Sequence, residues 1–188
     1  MTDPQRGAPL QAAQMLPPGA AVLIRHYDDP GREELALTLA ALARRQRLRV
    51  MLALRDPVQD LPLADRIEAD GIHLPEAVLK AGGLARLWQW RRGKPGRIIT
   101  AAAHSPAALR RAEQAGVDAV LLSPVFATLS HPGAPFLGGL RVRRWVQQTR
   151  LPVLALGGIS AQTIAGLSRS GIWGAAAIGG LTPRAIGG

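Results

Sequence analysis

The feature of this sequence that most constrains its fold is a repeated alternation of short apolar runs with longer amphipathic segments. Runs such as VMLAL at 50–54 and PVLAL at 152–156 have the length of buried strands, and the segments between such runs have helical spacing of their apolar residues. The predicted strands are 20–24, 50–54, 71–74, 97–102, 118–123, 152–156 and 174–178. Strands that alternate with helices predict a parallel sheet, because the chain must cross back over the sheet between them.

The helical segments complete seven βα units. The clearest helix has Ser105 as its N-cap, Pro106 at its first position and Gly116 as its stop. The predicted helices are 33–47, 63–69, 76–90, 105–116, 140–148 and 160–170, with another helix before residue 15. No change of composition marks a linker, so we expect one domain over 1–188, an α/β fold of the (βα)8 TIM-barrel type. An open doubly wound sheet is disfavoured, because no G-x-G-x-x-G follows the first strand.

The net charge of +10 raises the question of a nucleic-acid partner. The charge comes almost wholly from arginine in scattered short groups, and aromatic residues make up only 4% of the chain. Such a chain is poor in base-stacking side chains, so we expect no nucleic acid and instead anionic small substrates. With no apolar run of membrane-spanning length, no secretory signal pattern and no cysteine, we expect a cytoplasmic protein without a membrane partner.

Polar residues collect where the predicted strands end, whereas the strand bodies are apolar. In a barrel of this type the chemistry lies at the carboxyl ends of the strands. The polar residues at these ends are Arg25, His26, Tyr27, Arg55, Asp56, His73, Glu76 and His104. His73 lies within a strand and His104 directly precedes a helix cap, so both are expected to be structural. The other residues are the candidates for a functional site.

Two glycine pairs follow the last two predicted strands and predict a phosphate site. They are Gly157-Gly158 and Gly179-Gly180. Glycine lets backbone N–H groups approach an oxyanion closely, and TIM barrels often bind phosphate at these two loops. Either pair could alone be a simple turn. Because both pairs occur at the expected loops, we expect all four glycines to bind a phosphorylated ligand.

Three segments make the chain resemble the thiamine phosphate synthases and the related thiazole tautomerases. They are DGIHLPE, AAHSPAALRRAEQAGVDAVLLSPVF and PVLALGGIS, and the resemblance runs from about residue 21 to 181. Its most specific part is the long loop SPVFATLSHPGAPFLGG at 123–139, which is similar to the family signature G-P-V-F-x-T-x-T-K. Ser123 stands at the first glycine of that signature, Thr128 and Ser130 at its threonines, and His131 at its lysine.

The resemblance implies a transferase of thiamine biosynthesis that joins an aminopyrimidine pyrophosphate to a thiazole phosphate. The long loop would lie over the phosphates, with Thr128 and Ser130 as ligands and His131 as a catalytic residue. Arg25 is retained from the family's Q-x-R-x-K motif, and Arg25 with Arg55 would bind the departing pyrophosphate. His26 and Tyr27 would line the same substrate site.

The carboxylates are where the sequence departs from the family. The resemblance implies a Mg²⁺ ion, which prefers carboxylate oxygens, but Val78 stands at the family's metal-binding aspartate. Asp56 and Glu76 are the remaining candidates for metal ligands. His104 is retained from the family's G-x-S-x-H motif, in which Ala102 replaces the serine.

Two other functions stay open. One is a tautomerase-like isomerase without a metal, in which His131 or His26 would move the proton. The other is a catalytically inactive barrel that binds a phosphorylated ligand. The first would be seen as isomerisation of a thiazole carboxylate phosphate, and the second as binding without turnover.

The beginning of the sequence bears on closure of the barrel. Family members begin with a strand that ends in Thr-Asp, and this sequence begins Met1-Thr2-Asp3. The resemblance implies that the barrel lacks its first strand and that the sequence starts where this strand would end. A barrel without one strand has two edges with unpaired backbone groups. We therefore expect low stability, or a partner chain that closes the gap, as in a homo-oligomer.

Overall fold

The computed structural model describes residues 1–3, 8–128, 133 and 135–178. Its strands are β1 (Ala21–Ile24), β2 (Arg49–Ala53), β3 (Gly71–Leu74), β4 (Ile98–Ala103), β5 (Ala119–Leu122), β6 (Val153–Leu156) and β7 (Gly174–Ala176). Its helices are α1 (Pro9–Gln14), α2 (Arg32–Gln46), α3 (Pro57–Arg66), α4 (Glu76–Ala81), α5 (Ala85–Arg92), α6 (Pro106–Ala115), α7 (Gly138–Val146) and α8 (Ala161–Ile164), followed by a 3₁₀ turn at Ala165–Leu167. The strands form one parallel sheet in chain order from β1 to β7, which confirms the predicted barrel-type α/β fold.

Two separate apolar cores lie on the two faces of this sheet. Val22 and Ile24 belong to the larger core, in which the outer face of the sheet packs against the helices. Leu23, Met51 and Leu121 form a smaller core with their neighbours on the other face. Because neighbouring residues of a strand point to opposite faces, a sheet that curls around its own interior produces this division.

Residues 1–3 lie between the first strand and the last one. The backbone N–H of Thr2 donates to the Leu23 carbonyl at 2.8 Å, and the amino group of Met1 donates to the Ala177 carbonyl at 2.8 Å. The start of the chain therefore connects the two edges of the sheet near the ends of the strands. This placement agrees with the expectation that Met1, Thr2 and Asp3 take the end of a barrel-strand position.

Three helix predictions differ from the structure, and one of them, the helix predicted over 160–170, is the short helix α8 with a 3₁₀ turn that ends at Leu167. Helix α3 begins at Pro57 rather than at residue 63, because the Asp56 side chain caps it by accepting from the Val58 N–H at 2.7 Å. A proline within this helix, Pro62, made the sequence pattern unlike that of a helix. The helix predicted over 76–90 is divided into α4 and α5, because Gly82 and Gly83 have φ angles of 76° and 71°.

The helix predicted after Ser105 is confirmed. The Ser105 hydroxyl accepts from the Ala108 N–H at 3.1 Å, and Gly116 ends the helix with φ of 72°. In the described part of the chain, none of the helices has the length and apolar character needed to cross a membrane.

Candidate active site

The carboxyl ends of the parallel strands share one end of the sheet. We call this surface the mouth; the residues that directly follow β1, β4, β5 and β6 there are Arg25, His104, Ser123 and Gly157. Their common position follows from the topology, because parallel strands with helical crossovers all finish at the same side. The topology therefore brings these strand ends to one side of the sheet, and their role in a functional site stays a prediction.

Arg25 is held at the mouth by the first residues of the chain. Its guanidinium donates to Asp3 Oδ2 at 2.5 Å, and its backbone N–H donates to Thr2 Oγ1 at 3.0 Å. The Arg25 side chain is 36% exposed, whereas that of Asp3 is 10% exposed. Arg25 is thus an oriented positive charge that solvent and a small anion can still reach.

His26 and Tyr27 follow Arg25 but are packed into the protein. His26 is buried, and its Nδ1 lies 2.9 Å from Thr2 Oγ1. Burial lowers the pKa of His26 below its ordinary value, although the charges of Asp29 and Asp3 oppose this, so the ring is mostly neutral at pH 7. Burial raises the pKa of the Tyr27 phenol. Contact of either side chain with a substrate stays a prediction.

His73 lies on β3 and is buried on the inner face of the sheet. Its Nδ1 is 2.9 Å from Thr100 Oγ1. Burial lowers the pKa of His73 to about 4, and the charges of Arg25 and His104 add to this effect. His73 is therefore a neutral, hydrogen-bonded residue of the barrel interior, as its place within a strand indicated.

His104 and Ser123 connect the ends of β4 and β5. The His104 Nδ1 atom lies 2.9 Å from the Ser123 carbonyl and 3.2 Å from Ser123 Oγ, and the imidazole is exposed. The structural role expected for His104 stays a prediction, and the exposed ring is also accessible from the mouth. The retained histidine of the G-x-S-x-H motif was the sequence signal for it.

The two carboxylates predicted as metal ligands are engaged in other contacts. Asp56 caps α3, and Glu76 Oε1 lies 2.9 Å from Lys80 Nζ and 2.8 Å from a guanidinium nitrogen of Arg111. Burial alone would raise the pKa of Glu76, but Lys80, His104 and Arg111 lower it overall. The described residues contain no group of three or more histidine, aspartate or glutamate side chains placed to hold a metal. They therefore do not fit the predicted Mg²⁺ site.

Arg55 lies beyond β2 in a loop that a buried carboxylate organises. The Arg55 side chain forms an exposed ion pair with Asp28. Asp60 Oδ2 accepts from the backbone N–H groups of Arg55 and Asp56 at 2.6 and 3.0 Å, and its other oxygen pairs with Arg32 at 2.5 Å. No motif in the sequence marked Asp60, because a carboxylate in a helical segment gives no sign of accepting from the preceding loop.

The glycine pair after β6 lies against the long loop that follows β5. A Cβ added to Gly157 would lie 2.9 Å from Pro124 Cα, and one added to Gly158 would lie 2.3 Å from the Ala127 carbonyl oxygen. The two glycines have φ angles of 93° and 64°. This close approach gives both glycines a packing role that the sequence did not indicate, and their predicted contact with phosphate stays a prediction.

The rest of the predicted phosphate site is only partly within the described residues. Thr128 is half-buried at the last described position before a gap in the long loop. Ser130, His131, Gly179 and Gly180 lie outside the described residues. Their roles stay predictions.

Known proteins resemble this chain over most of its length. A family model described as thiamine monophosphate synthase matches residues 2–181. A thiamine-phosphate synthase of Methanoculleus marisnigri is 35% identical over 169 residues, which are 88% of this chain and 76% of that protein. A thiamine-phosphate synthase of Pelotomaculum thermopropionicum is 32% identical over 161 residues, which are 85% of this chain and 70% of that protein.

One solved structure supports the fold independently. It is a thiamine phosphate pyrophosphorylase of Pyrococcus furiosus, which matches with a TM-score of 0.72 over 94% of this chain and 82% of that chain. The two sequences are 23% identical, so this likeness is evidence for the fold alone.

Proposed function

This chain belongs to the thiamine monophosphate synthase family, and on that premise we propose that it is a transferase that joins an aminopyrimidine pyrophosphate to a thiazole phosphate. The observation that most supports this reaction is the placement of Arg25. Its guanidinium is fixed by Asp3 at the mouth and remains 36% exposed, so it can bind an anionic leaving group.

The proposed reaction breaks a carbon–oxygen bond and forms a carbon–nitrogen bond. Pyrophosphate leaves the methylene carbon attached to the pyrimidine ring with the electron pair of the carbon–oxygen bond, and the thiazole nitrogen captures the resulting cation. Negative charge builds up on the leaving oxygen, so a fixed cation beside it lowers the energy of the transition state. Arg25 would supply this cation, and His104 with Ser123 would contact a substrate on the neighbouring side of the mouth.

The other predicted residues enter the proposal with roles that follow from the family resemblance. Arg55 and His131 would assist Arg25 with the pyrophosphate. The proposed substrate contacts are His26, Tyr27, Thr128, Ser130, Gly157, Gly158, Gly179 and Gly180. No step is assigned to Mg²⁺, because Asp56 and Glu76 are engaged elsewhere.

The engagement of these two carboxylates favours one other candidate function. A tautomerase would move a proton on a thiazole carboxylate phosphate, and this chemistry requires no departing pyrophosphate and no metal to neutralise one. His26 is mostly neutral at pH 7 and could accept a proton, although it is buried beside Thr2.

A product assay separates the two functions. The protein is incubated with aminopyrimidine pyrophosphate and thiazole carboxylate phosphate, with Mg²⁺ in one series and with a chelator in the other. We expect thiamine phosphate, with pyrophosphate released from the pyrimidine substrate and the carboxylate of the thiazole released as carbon dioxide, and comparison of the two series shows whether a metal is needed. Isomerised thiazole without coupled product would assign the chain to the tautomerase reaction. Binding of the thiazole phosphate with neither product would contradict both enzymatic functions.

A further inference from the structure

A cavity of about 340 Å³ lies at the end of the sheet where the strands begin, opposite the mouth. It opens between the loop that joins α2 to β2 and the loop that joins α3 to β3, and the segment after α5 also lines it. We call this cavity the basic pocket. Its charged lining residues are Arg44, Arg47, Arg49, Glu68, Asp70 and Lys94.

The basic pocket has more cations than carboxylates. Asp70 is already paired, because its Oδ1 lies 3.2 Å from a guanidinium nitrogen of Arg49. Among the described residues, no carboxylate lies within ion-pair distance of the other three cations, Arg44, Arg47 and Lys94. These three side chains are exposed, and the one further carboxylate in the cavity is that of Glu68. The pocket therefore carries an excess of positive charge that the protein itself does not neutralise.

The backbone of Arg47 is unusual for an arginine. Its φ of 56° lies in the left-handed region that glycine favours. The Leu48 N–H donates to the Ala43 carbonyl at 2.9 Å, which closes the end of α2. The turn after α6 has the same form and uses a glycine, Gly116, with φ of 72°. Arg47 thus bears a conformational cost that glycine would avoid, and an outlier of this kind points to a use for the side chain.

Glu68 occupies the corresponding position after α3. Its φ is 51°, and the Ala69 N–H donates to the Ala64 carbonyl at 2.8 Å. In the described part of the chain, Arg47 and Glu68 are the two residues other than glycine with a positive φ. Both line the basic pocket, so the two strained positions have this cavity in common.

The inner wall of the basic pocket is apolar. Leu48, Val50 and Ile67 line it, and all three side chains are buried. An apolar wall lowers the local dielectric, so the neighbouring cations attract an anion more strongly than they would on an open surface. Cations without partners also repel one another there, and a bound anion would remove this repulsion.

We propose that the basic pocket binds a small anion with more than one negative charge, of the phosphate and pyrophosphate class. Arg44, Arg47 and Lys94 would contact its oxygens, and the pair of Arg49 with Asp70 would form one fixed side of the site. The site is separate from the mouth, because it lies at the opposite ends of the strands. It does not depend on the proposed transferase activity.

An NMR titration of chain 1–188 follows the two ends of the barrel separately. Inorganic pyrophosphate and adenosine diphosphate are titrated in parallel, because a pyrophosphate group can come from either source. The salt concentration is about 0.15 M, which screens diffuse attraction to the basic surface. The amide signals of Leu48, Arg49 and Ala69 should shift along one saturable curve with at least one of the two ligands. Signals of the mouth, such as that of Arg25, are read independently.

Two glycine variants distinguish a binding role from a structural one. Arg47→Gly removes a cation but places the favoured residue at a left-handed position, so binding should weaken at least roughly tenfold while Tm does not fall. Glu68→Gly relaxes the backbone in the same way but removes a negative charge. Its Tm should not fall either, and its binding should tighten roughly two- to fivefold.

The control for net charge is Arg110→Ala. It removes an exposed arginine of α6, outside the lining of the basic pocket, and should leave binding at the pocket unchanged. Equal weakening in Arg110→Ala and Arg47→Gly would reduce the effect to the overall charge of the protein and overturn the proposal.

Three other results would also overturn it. The first is an absence of saturable shifts at the pocket amides with both ligands. The second is unchanged binding in Arg47→Gly with a lower Tm, which would make the Arg47 side chain purely structural. The third is unchanged or weaker binding in Glu68→Gly, and this result decides the matter even where Arg47→Gly does not fold.

Discussion

Arg25 connects the start of the chain with the mouth, and its replacement is the most informative single change. Arg25→Ala removes the fixed cation, so kcat/KM for coupling should fall about 100-fold. It also removes the charged hydrogen bond between Arg25 and Asp3, which should lower the unfolding free energy by about 1–3 kcal/mol. Steady-state kinetics on variant protein shown to be folded measures the first effect, and urea unfolding measures the second.

The matched control for this change is Arg66→Ala. Arg66 also forms an ion pair, with Glu33, but both of these side chains are exposed. Loss of such a pair should change the unfolding free energy by less than about 1 kcal/mol and leave kcat/KM unaltered. Equal kinetics in both variants would remove Arg25 from the reaction.

His73 should make the fold sensitive to acid. Its pKa is about 4 in the folded protein against an ordinary value of 6.5, so the unfolded chain takes up the proton first. The unfolding free energy should therefore fall as the pH is lowered from about 6.5 to about 4. His73→Asn cannot take up this proton and should show a weaker pH dependence, with His26 still contributing. Urea unfolding across this range measures both proteins, and identical pH dependence would contradict the prediction.

The cap of α3 provides a prediction about a single element and about the metal. Asp56→Ala should lower the unfolding free energy by about 1 kcal/mol, because the Val58 N–H loses its acceptor. Asp56→Ser keeps a capping oxygen but removes the carboxylate, so its stability should stay near that of the unchanged protein.

Any Mg²⁺ dependence of the coupling rate should be the same in the unchanged protein, in Asp56→Ala and in Asp56→Ser. Loss of Mg²⁺ dependence in Asp56→Ser would instead identify Asp56 as a metal ligand.

The packing of the long loop against β6 can be tested at Gly158. Gly158→Ala places a Cβ 2.3 Å from the Ala127 carbonyl oxygen at a φ of 64°, so the unfolding free energy should fall by at least about 2 kcal/mol. Gly116→Ala is the control, because Gly116 has φ of 72° but nothing within 4 Å of an added Cβ, and it should cost about 1 kcal/mol. Urea unfolding of both variants compares them, and equal losses would show that the loop does not depend on this contact.

The order of the elements in the whole molecule could be predicted from the sequence because it depends on local patterns. Each strand is a short apolar run, and Ser105 with Gly116 marks both ends of α6. The common location of Arg25 and His104 also followed, because parallel strands all finish at one side of the sheet. The start of helix α3 was misplaced because Pro62 lies inside it, although Asp56 and Pro57 form the same kind of helix start as Ser105 and Pro106.

The contacts of the site could not be predicted, because they join residues distant in the sequence. Asp3 and Arg25 are 22 positions apart, and Glu76 and Arg111 are 35 apart. No local spacing encodes such pairs, so the sequence could not show that Glu76 is paired with Arg111. The close approach of Gly158 to Ala127 likewise depends on how the long loop folds back over the end of β6.

The central claim is that the mouth binds the departing pyrophosphate, and a crystal structure with thiamine phosphate and pyrophosphate tests it most directly. We expect the pyrophosphate within hydrogen-bonding distance of the Arg25 guanidinium, with the thiazole phosphate near Gly157 and Gly158. The basic pocket at the opposite end of β2 serves as the internal comparison. Pyrophosphate bound there, with an empty mouth, would contradict the claim.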